Sequence, residues 1–174
     1  MIKKHYEKIT RPDLILKNKY KNIMEIPSIK KISVNITVDS KNRVIEPLMV
    51  LELITGQKAK VLKAKKSISS FNLRKDMYIA CKVTLQKKNM YNFINKLINI
   101  VLPKIREFKG FSVDNIDSQN NYTLSIKNMS IFPEIEYQFD IFNKIYGMDI
   151  TIVTNSKNTQ ETRMLLTSLQ LPLK

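Results

Sequence analysis

The sequence predicts an α+β fold, a single antiparallel-rich sheet with helices packed on one face. Three observations predict the architecture. Two segments alternate apolar and polar residues with the period of a half-buried strand, Ile32-Val34-Ile36-Val38 and Ile79-Cys81-Val83-Leu85. A longer segment, Met90, Phe93, Ile94, Leu97, Ile98 and Val101, repeats at helical spacing. Strand and helix patterns follow no regular βαβ rhythm, and strands this close in sequence favour antiparallel pairing. A sheet covered on one side has a free face, lined by the polar alternates of its strands.

The first helical pattern starts near Thr10-Arg11-Pro12, with Thr10 as cap and Pro12 in the first turn. Leu14, Ile15, Tyr20, Ile23 and Met24 give it a loose apolar face, and Pro27 ends it. The strand at Ile32 to Val38 follows. A second helix fits Glu46 to Thr55, with Pro47 near its start, Leu48, Leu51 and Ile54 on one face, and Gly56 as left-handed stop. Mixed strand and loop character comes next, then the strand at Ile79 to Leu85. The long helix has its end limited by Pro103. Tyr122-Leu124-Ile126 and Met148-Ile150-Ile152 mark two more strands. Asn158 with Glu161 three residues on resembles a capping box opening a last helix that carries Met164, Leu165 and Leu169.

The chain of 174 residues suffices for one domain with a real core. A single domain over residues 1–174 is expected, with an N-terminal helical segment at about 10–26 and the sheet and its helices at about 29–170. The charge is unusual. Thirty Lys+Arg against fifteen Asp+Glu give +15, and the pI is near 9.8. Such an excess repels itself in the folded state, which points to a polyanion partner, nucleic acid before an anionic membrane surface.

The most apolar run, Phe93 to Leu102, is interrupted by Asn95, Lys96 and Asn99, and a bilayer needs roughly 20 apolar residues. No membrane is therefore among the expected partners. The basic N-terminus lacks the apolar centre of a secretory signal. One cysteine, Cys81, excludes an internal disulfide and fits a reducing compartment, where the sequons at Asn35, Asn121 and Asn128 carry no weight. The wealth of Lys, Asn and Ile matches A/T-rich codons, a genomic bias without chemical meaning.

Catalysis needs convergent nucleophiles, bases and carboxylates. The one histidine, His5, reads as a solvated side chain in a mobile N-terminus, and Cys81 as a buried structural thiol. No Cys/His spacing suits zinc. Gly56, Gly110 and Gly147 are too scattered for a dinucleotide or phosphate loop. Glu134 with Glu136, and Asp114 with Asp117, read as turn and surface residues rather than Mg²⁺ ligands. Neither an enzyme nor a cofactor is expected.

The informative stretch is Ile54 to Lys75, ITGQKAKVLKAKKSISSFNLRK. It holds seven basic residues, Lys58, Lys60, Lys63, Lys65, Lys66, Arg74 and Lys75, and no acidic one. Solvated charged faces normally mix signs, because like charges repel. Here each lysine sits among others at a cost that bound phosphates reverse. Asn35, Gln57, Ser67, Ser69 and Asn72 add groups able to contact phosphate, sugar or base edges. A broad basic face would read A-form RNA by shape, phosphates and 2′-hydroxyls. Neutralising about five phosphates implies a salt slope near −4.

At GQKAKVLKAKKSISSFNLRK (Gly56 to Lys75) the chain resembles large-subunit ribosomal protein five, the bacterial-type binder of 5S ribosomal RNA. The resemblance continues through ACKVTL (Ala80 to Leu85), VLPKIREFKGFS (Val101 to Ser112), NYTLSI (Asn121 to Ile126), IFPEIEY (Ile131 to Tyr137) and GMDITIVT (Gly147 to Thr154). Upstream, IPSIKKISVNI at Ile26 to Ile36 resembles the family's first strand. The motifs occur in family order over nearly the whole chain.

The resemblance implies a place in the central protuberance of the large subunit, beside other proteins of that region, with the sheet face docked on 5S rRNA and adjacent large-subunit rRNA. It implies rRNA contact by Asn35, Gln57, Lys58, Lys60, Lys63, Lys65, Lys66 and Ser67. It also implies a loop facing the peptidyl-site tRNA at Asn72, Arg74, Lys75, Asp76, Met77 and Tyr78. A bridge to a small-subunit head protein falls in Lys109 to Asn120, with Lys109, Gly110, Phe111 and Asn120 as candidates.

Two loops depart from the family pattern. Bacterial members usually carry Gly-Tyr-Pro-Ile-Gly in the tRNA-facing loop, where this chain has DMYIA at Asp76 to Ala80. The glycine-rich turn after the first strand is replaced by TVDSKNR at Thr37 to Arg43. This drift, with the A/T-rich composition, points to a mitochondrial matrix ribosome. The N-terminus aligns with the mature family start, which makes encoding by the organelle's own genome the expectation. The cytoplasm of an A/T-rich bacterium is the alternative location, and a free-standing basic RNA-binding or regulatory module the alternative function.

Overall fold

The computed structural model describes residues 2–38, 44–106, 108–138, 142 and 146–174. Most of the replaced turn after the first strand, residues 39–43, lies outside them. In chain order the elements are α1 (Ile2–His5), a π-helical turn (Tyr6–Thr10), α2 (Arg11–Lys17), a 3-10 turn (Ile23–Glu25), β1 (Ile29–Thr37), α3 (Ile45–Thr55), β2 (Lys60–Lys63), a 3-10 turn (Ser69–Phe71) and β3 (Tyr78–Leu85). Then come α4 (Lys87–Lys96), a π-helical turn (Leu97–Val101), α5 (Leu102–Lys104), a 3-10 turn (Val113–Asn115), β4 (Tyr122–Ile126), a 3-10 turn (Met129–Ile131), α6 (Pro133–Glu136), β5 (Met148–Thr154) and α7 (Thr159–Ser168).

The strands form one five-stranded antiparallel sheet in the order β2-β3-β1-β5-β4. The ladder has antiparallel signatures throughout. Lys60 lies opposite Lys82 across β2 and β3, and Val38 at the end of β1 donates to Ile79 at the start of β3. Asn155, after β5, donates to Ser28, before β1. Side chains of Thr123 and Thr151, and of Ser125 and Asp149, meet across β4 and β5. Period-two burial gives the strands one apolar face. In β1, Ile32, Val34 and Ile36 are buried while Lys31 and Thr37 are exposed. The α+β class predicted from the alternating segments is the one observed.

The chain groups into two compact units, one of Met1–Ile32, Leu85–Leu124 and Thr151–Lys174, the other of Ser33–Thr84 and Ser125–Ile150. In the first, α1 packs against α4, and Phe93, Leu97, Val101, Tyr122, Ile152 and Leu165 are almost wholly buried. In the second, α3 packs against α6, around Val34, Ile36, Leu51, Cys81, Phe132 and Ile150.

Several expected details differ. The N-terminal helix begins at Ile2, not near Thr10, so His5 lies half-buried in a helix rather than in a mobile tail. Thr10 is fully buried inside the helical run and caps nothing. Ile15, Ile23 and Met24 are exposed, leaving Leu14 as the buried anchor of α2. Pro12 is absorbed by the π turn just before it. Proline lacks an N–H and its ring crowds the carbonyl one turn back. The preceding residue, Arg11, therefore bonds to Tyr6 five positions back, widening the helix at that point. The same solution recurs at Pro103. Leu102 bonds to Leu97, and the helix ends at Lys104, one residue past the proline, as expected. In α3, Pro47 and Val50 join Leu51 and Ile54 in the core, while Leu48 is half-buried. The capping box at α7 does not form. Asn158 makes no side-chain cap, and the Glu161 carboxylate accepts from the Lys157 N–H instead.

Candidate nucleic-acid interface

The basic stretch folds as a hairpin arm. Gly56 ends α3 in the left-handed region at φ 64°, where a side chain would strain the backbone. Thr55 and Gln57 exchange bonds at the exit, and the Glu52 carboxylate accepts from the Ala59 N–H at 2.8 Å. These contacts aim Lys60 into β2. The strand pairs with β3 as Lys60↔Lys82, Val61↔Cys81, Leu62↔Ala80 and Lys63↔Tyr78, with an irregularity between Leu62 and Lys63.

Beyond the strands the arm continues. Ala64 donates to Met77 at 2.8 Å and Asp76 to Ala64 at 3.0 Å. Ile68 and Leu73 form a two-way bridge, and the Lys75 N–H bonds to the Ser67 hydroxyl at 2.9 Å. The tip turns through Ser69–Phe71 into Asn72 at φ 53°. Asp76 is also left-handed, at φ 67°. Asn and Asp tolerate that region better than other residues with side chains. They carry the arm's two turns without glycine.

Lys58, Lys60, Lys63, Lys65, Lys66, Arg74 and Lys75 are all exposed. Among the described residues none of the seven enters an ion pair, whereas Lys3 pairs with Glu7, Lys17 with Asp13 and Lys157 with Glu25. Lys63, exposed, lies over the ring of Tyr78, 5.4 Å from its centre, a cation–π contact. Lysines on an edge strand also deter aggregation, but that purpose does not require carboxylates to be absent from Gln57 to Lys75.

Of the remaining residues expected to meet rRNA, Asn35 is half-buried among the polar alternates of β1, Gln57 is half-buried at the α3 exit, and Ser67 is exposed on the arm. Asn72, Arg74, Lys75, Asp76 and Tyr78 are exposed around the end of the arm, with Met77 half-buried beneath them. Lys82 escaped the reading of the sequence. It stands exposed on β3 opposite Lys60, and the signal for it was its polar position in the alternating strand. Phe71 is exposed at the tip.

The bridge candidates fall in the other compact unit and differ among themselves. Lys109 is exposed and Gly110 turns at φ 94°. Phe111 pairs its backbone with Pro172 and Lys174 and its ring edge-on with Phe108 at 4.9 Å. Asn120 is engaged internally. Its amide donates to the carbonyls of Ser156 and Lys157, and its own carbonyl accepts from Thr154 and Thr162.

Other titratable groups have structural roles. Burial pushes the Cys81 thiol up, away from nucleophilic use. Asp117 accepts from the Gln119 and Asn121 backbone and the Asn121 amide, an Asx turn. No group of three His, Cys, Asp or Glu residues able to hold a metal occurs among the described residues, and no helix among them is long and apolar enough to cross a membrane.

Comparison with known proteins adds an independent line. The family pattern for the C-terminus of ribosomal protein L5 matches residues 78–173, and that of ribosomal protein L5 itself matches residues 22–74. Large ribosomal subunit protein uL5m of Reclinomonas americana is 49% identical over 176 residues, covering 99% of this chain and 97% of the relative. Large ribosomal subunit protein uL5 of Clostridium acetobutylicum is 44% identical over 175 residues, covering 98% and 96%. The uL5 protein of Clostridium tetani is likewise 44% identical over 175 residues, covering 98% and 96%.

Proposed function

The chain belongs to the ribosomal protein L5 family and is a structural constituent of the large ribosomal subunit, not an enzyme; from that premise we propose that its hairpin arm clamps ribosomal RNA, 5S rRNA where present, in the central protuberance. One observation carries this reading. The arm holds seven exposed cations, none in an ion pair among the described residues, on a backbone tied by the bonds of Ala64, Ile68 and Lys75. The mechanism is positional. The β2–β3 ladder fixes the spacing of the ammonium groups, each neutralises a phosphate and releases its counterions, and the RNA thereafter moves with the protein. Asn35, Gln57 and Ser67 add hydrogen bonds that orient the strand.

The end of the arm, Asn72 to Tyr78, is the part we assign to peptidyl-site tRNA, with Arg74 and Lys75 on its phosphates. Its left-handed Asn72 and Asp76 support this, since the loop makes its turns without glycine. Lys109, the exposed member of its group, is the residue we assign to a small-subunit head protein. Other central-protuberance proteins complete the surroundings. We infer a mitochondrial ribosome as its location. The A/T-rich composition and the similarity to the Reclinomonas uL5m protein support that location; the bacterial relatives at 44% keep a bacterial cytoplasm as the alternative.

The test is binding of the full chain to bacterial 5S rRNA across a salt series. The expected slope of log K against log salt is about −4. Reversing Lys65→Glu and Lys66→Glu together should abolish binding while the circular dichroism spectrum stays native, since both side chains are exposed. Unchanged affinity would remove the arm from the interface.

A further inference from the structure

The other compact unit carries a cation cluster that this reading does not use. A cleft of about 660 Å³ opens there, within the size range of sites for nucleotide-sized groups. Lys3 of α1, Lys30 of β1, and Lys87 and Lys88 at the start of α4 converge on it. Its lining includes no carboxylate. Ile29 and Met90, both buried, make an apolar floor, and Tyr91 forms a wall. The Tyr91 ring is held against Tyr6, centroids 6.4 Å apart, and Tyr6 is itself anchored to the Pro27 carbonyl at 2.9 Å.

We propose that this cleft is a second RNA-backbone site, in which Lys3, Lys30, Lys87 and Lys88 receive phosphates of large-subunit rRNA and Tyr91 offers a face for a base. The anion's identity as RNA rests on the ribosomal reading; the site itself rests on the cleft. Ordinary solvated lysines are the competing account, and three observations weigh against it. Four cations from three separate elements share one concavity. Lys30, Lys87 and Lys88 enter no ion pair among the described residues, and Lys3 reaches only Glu7 of the adjoining helical turn, at 3.6 Å with both side chains well exposed, a pair of small value. Lys87 and Lys88 occupy the first turn of a ten-residue helix that has no acidic residue there and no side-chain cap, the reverse of what the helix dipole favours. A bound phosphate offsets all of these at once. The apolar floor lowers the local dielectric and strengthens the attraction. A concave site also suits a strand carrying phosphates on both sides of a stackable base better than it suits a flat membrane.

The experiment compares the full chain with a Lys30→Gln/Lys87→Gln/Lys88→Gln variant, using RNA extracted from bacterial large subunits as probe. The three side chains are exposed, so the melting transition should stay in place. The salt slope should become shallower by about two to three, at roughly 0.7–0.9 per lost phosphate contact. Tyr91→Leu should weaken binding about tenfold with the slope unchanged, because stacking is independent of salt. An unchanged slope in the triple variant overturns the site, and unchanged affinity in Tyr91→Leu overturns the stacking role. Loss of binding to phosphatidylserine vesicles with an unchanged RNA slope would overturn it in favour of a lipid surface. The Lys65→Glu/Lys66→Glu variant, measured alongside, separates the two interfaces. If it binds as the parent does while the triple variant weakens, the arm fails as an interface and the cleft stands.

Discussion

Lys60 and Lys82 face one another directly across the antiparallel pair of β2 and β3, both exposed. Like charges at opposed positions destabilise a sheet, whereas opposite charges there would support it. The protein therefore keeps a repulsive pair where a Lys–Glu pair would fold better. That makes sense if a phosphate lies between them in the assembled particle.

Lys82→Gln removes the charge and keeps an unbranched polar side chain. It should stabilise the free protein by a few tenths to about 1 kcal/mol, read as a higher urea midpoint. The same variant should bind 5S rRNA more weakly, with the salt slope shallower by about 0.7–0.9. Stability and binding moving in opposite directions is the signature of a residue kept for its partner. A lower midpoint would show that the pair costs nothing.

Val101 and Ile100 are neighbours on the π turn within the long helix, but Val101 is 0% exposed and Ile100 42%. Val101→Asp should unfold the chain, at a cost of about 4 kcal/mol or more, because a carboxylate is buried without a partner. Ile100→Asp should melt within about 1 kcal/mol of the parent. Thermal denaturation followed by circular dichroism distinguishes the two. A native-melting Val101→Asp variant would show that this side of the helix is not core.

Alkaline pH should destabilise the fold over a defined window. Burial pushes both Tyr122 and Tyr146 up to about 12, with the nearby Glu46 carboxylate adding to the effect at Tyr146. Tyr122 donates to the Ser112 carbonyl at 3.0 Å, and Tyr146 to the Glu46 carboxylate at 2.9 Å. The folded state thus holds the phenolic proton more tightly than the unfolded state, where the pKa is about 10. The stabilisation is complete below about pH 10 and is lost as pH rises towards 12. Tyr146→Phe should start from a lower urea midpoint, through loss of the hydrogen bond, and then fall less steeply between about pH 10 and pH 12. Parallel curves for parent and variant would mean that Tyr146 does not titrate in that window.

The strands were readable because period-two burial is written residue by residue. Ile32-Val34-Ile36 and Cys81-Val83-Leu85 lie where alternation predicts. The basic arm was readable because an unbroken run of one sign needs no structure to be noticed. The first helix was misread because Pro12 looked like a helix start. Only the chain before it shows that a π turn lets the helix pass through. Asn158 and Glu161 have the spacing of a capping box, but spacing does not decide which backbone N–H a carboxylate reaches, and Glu161 chose that of Lys157.

By itself the sequence determined the α+β class, the family and the positive arm from Lys58 to Lys75, since each depends on residue types and short-range periods. Only the tertiary structure decided that Lys82 stands against Lys60 and that Lys3, Lys30, Lys87 and Lys88 share a cleft. Strand register and helix packing bring together residues tens of positions apart, and nothing local in the chain records which distant charges will meet.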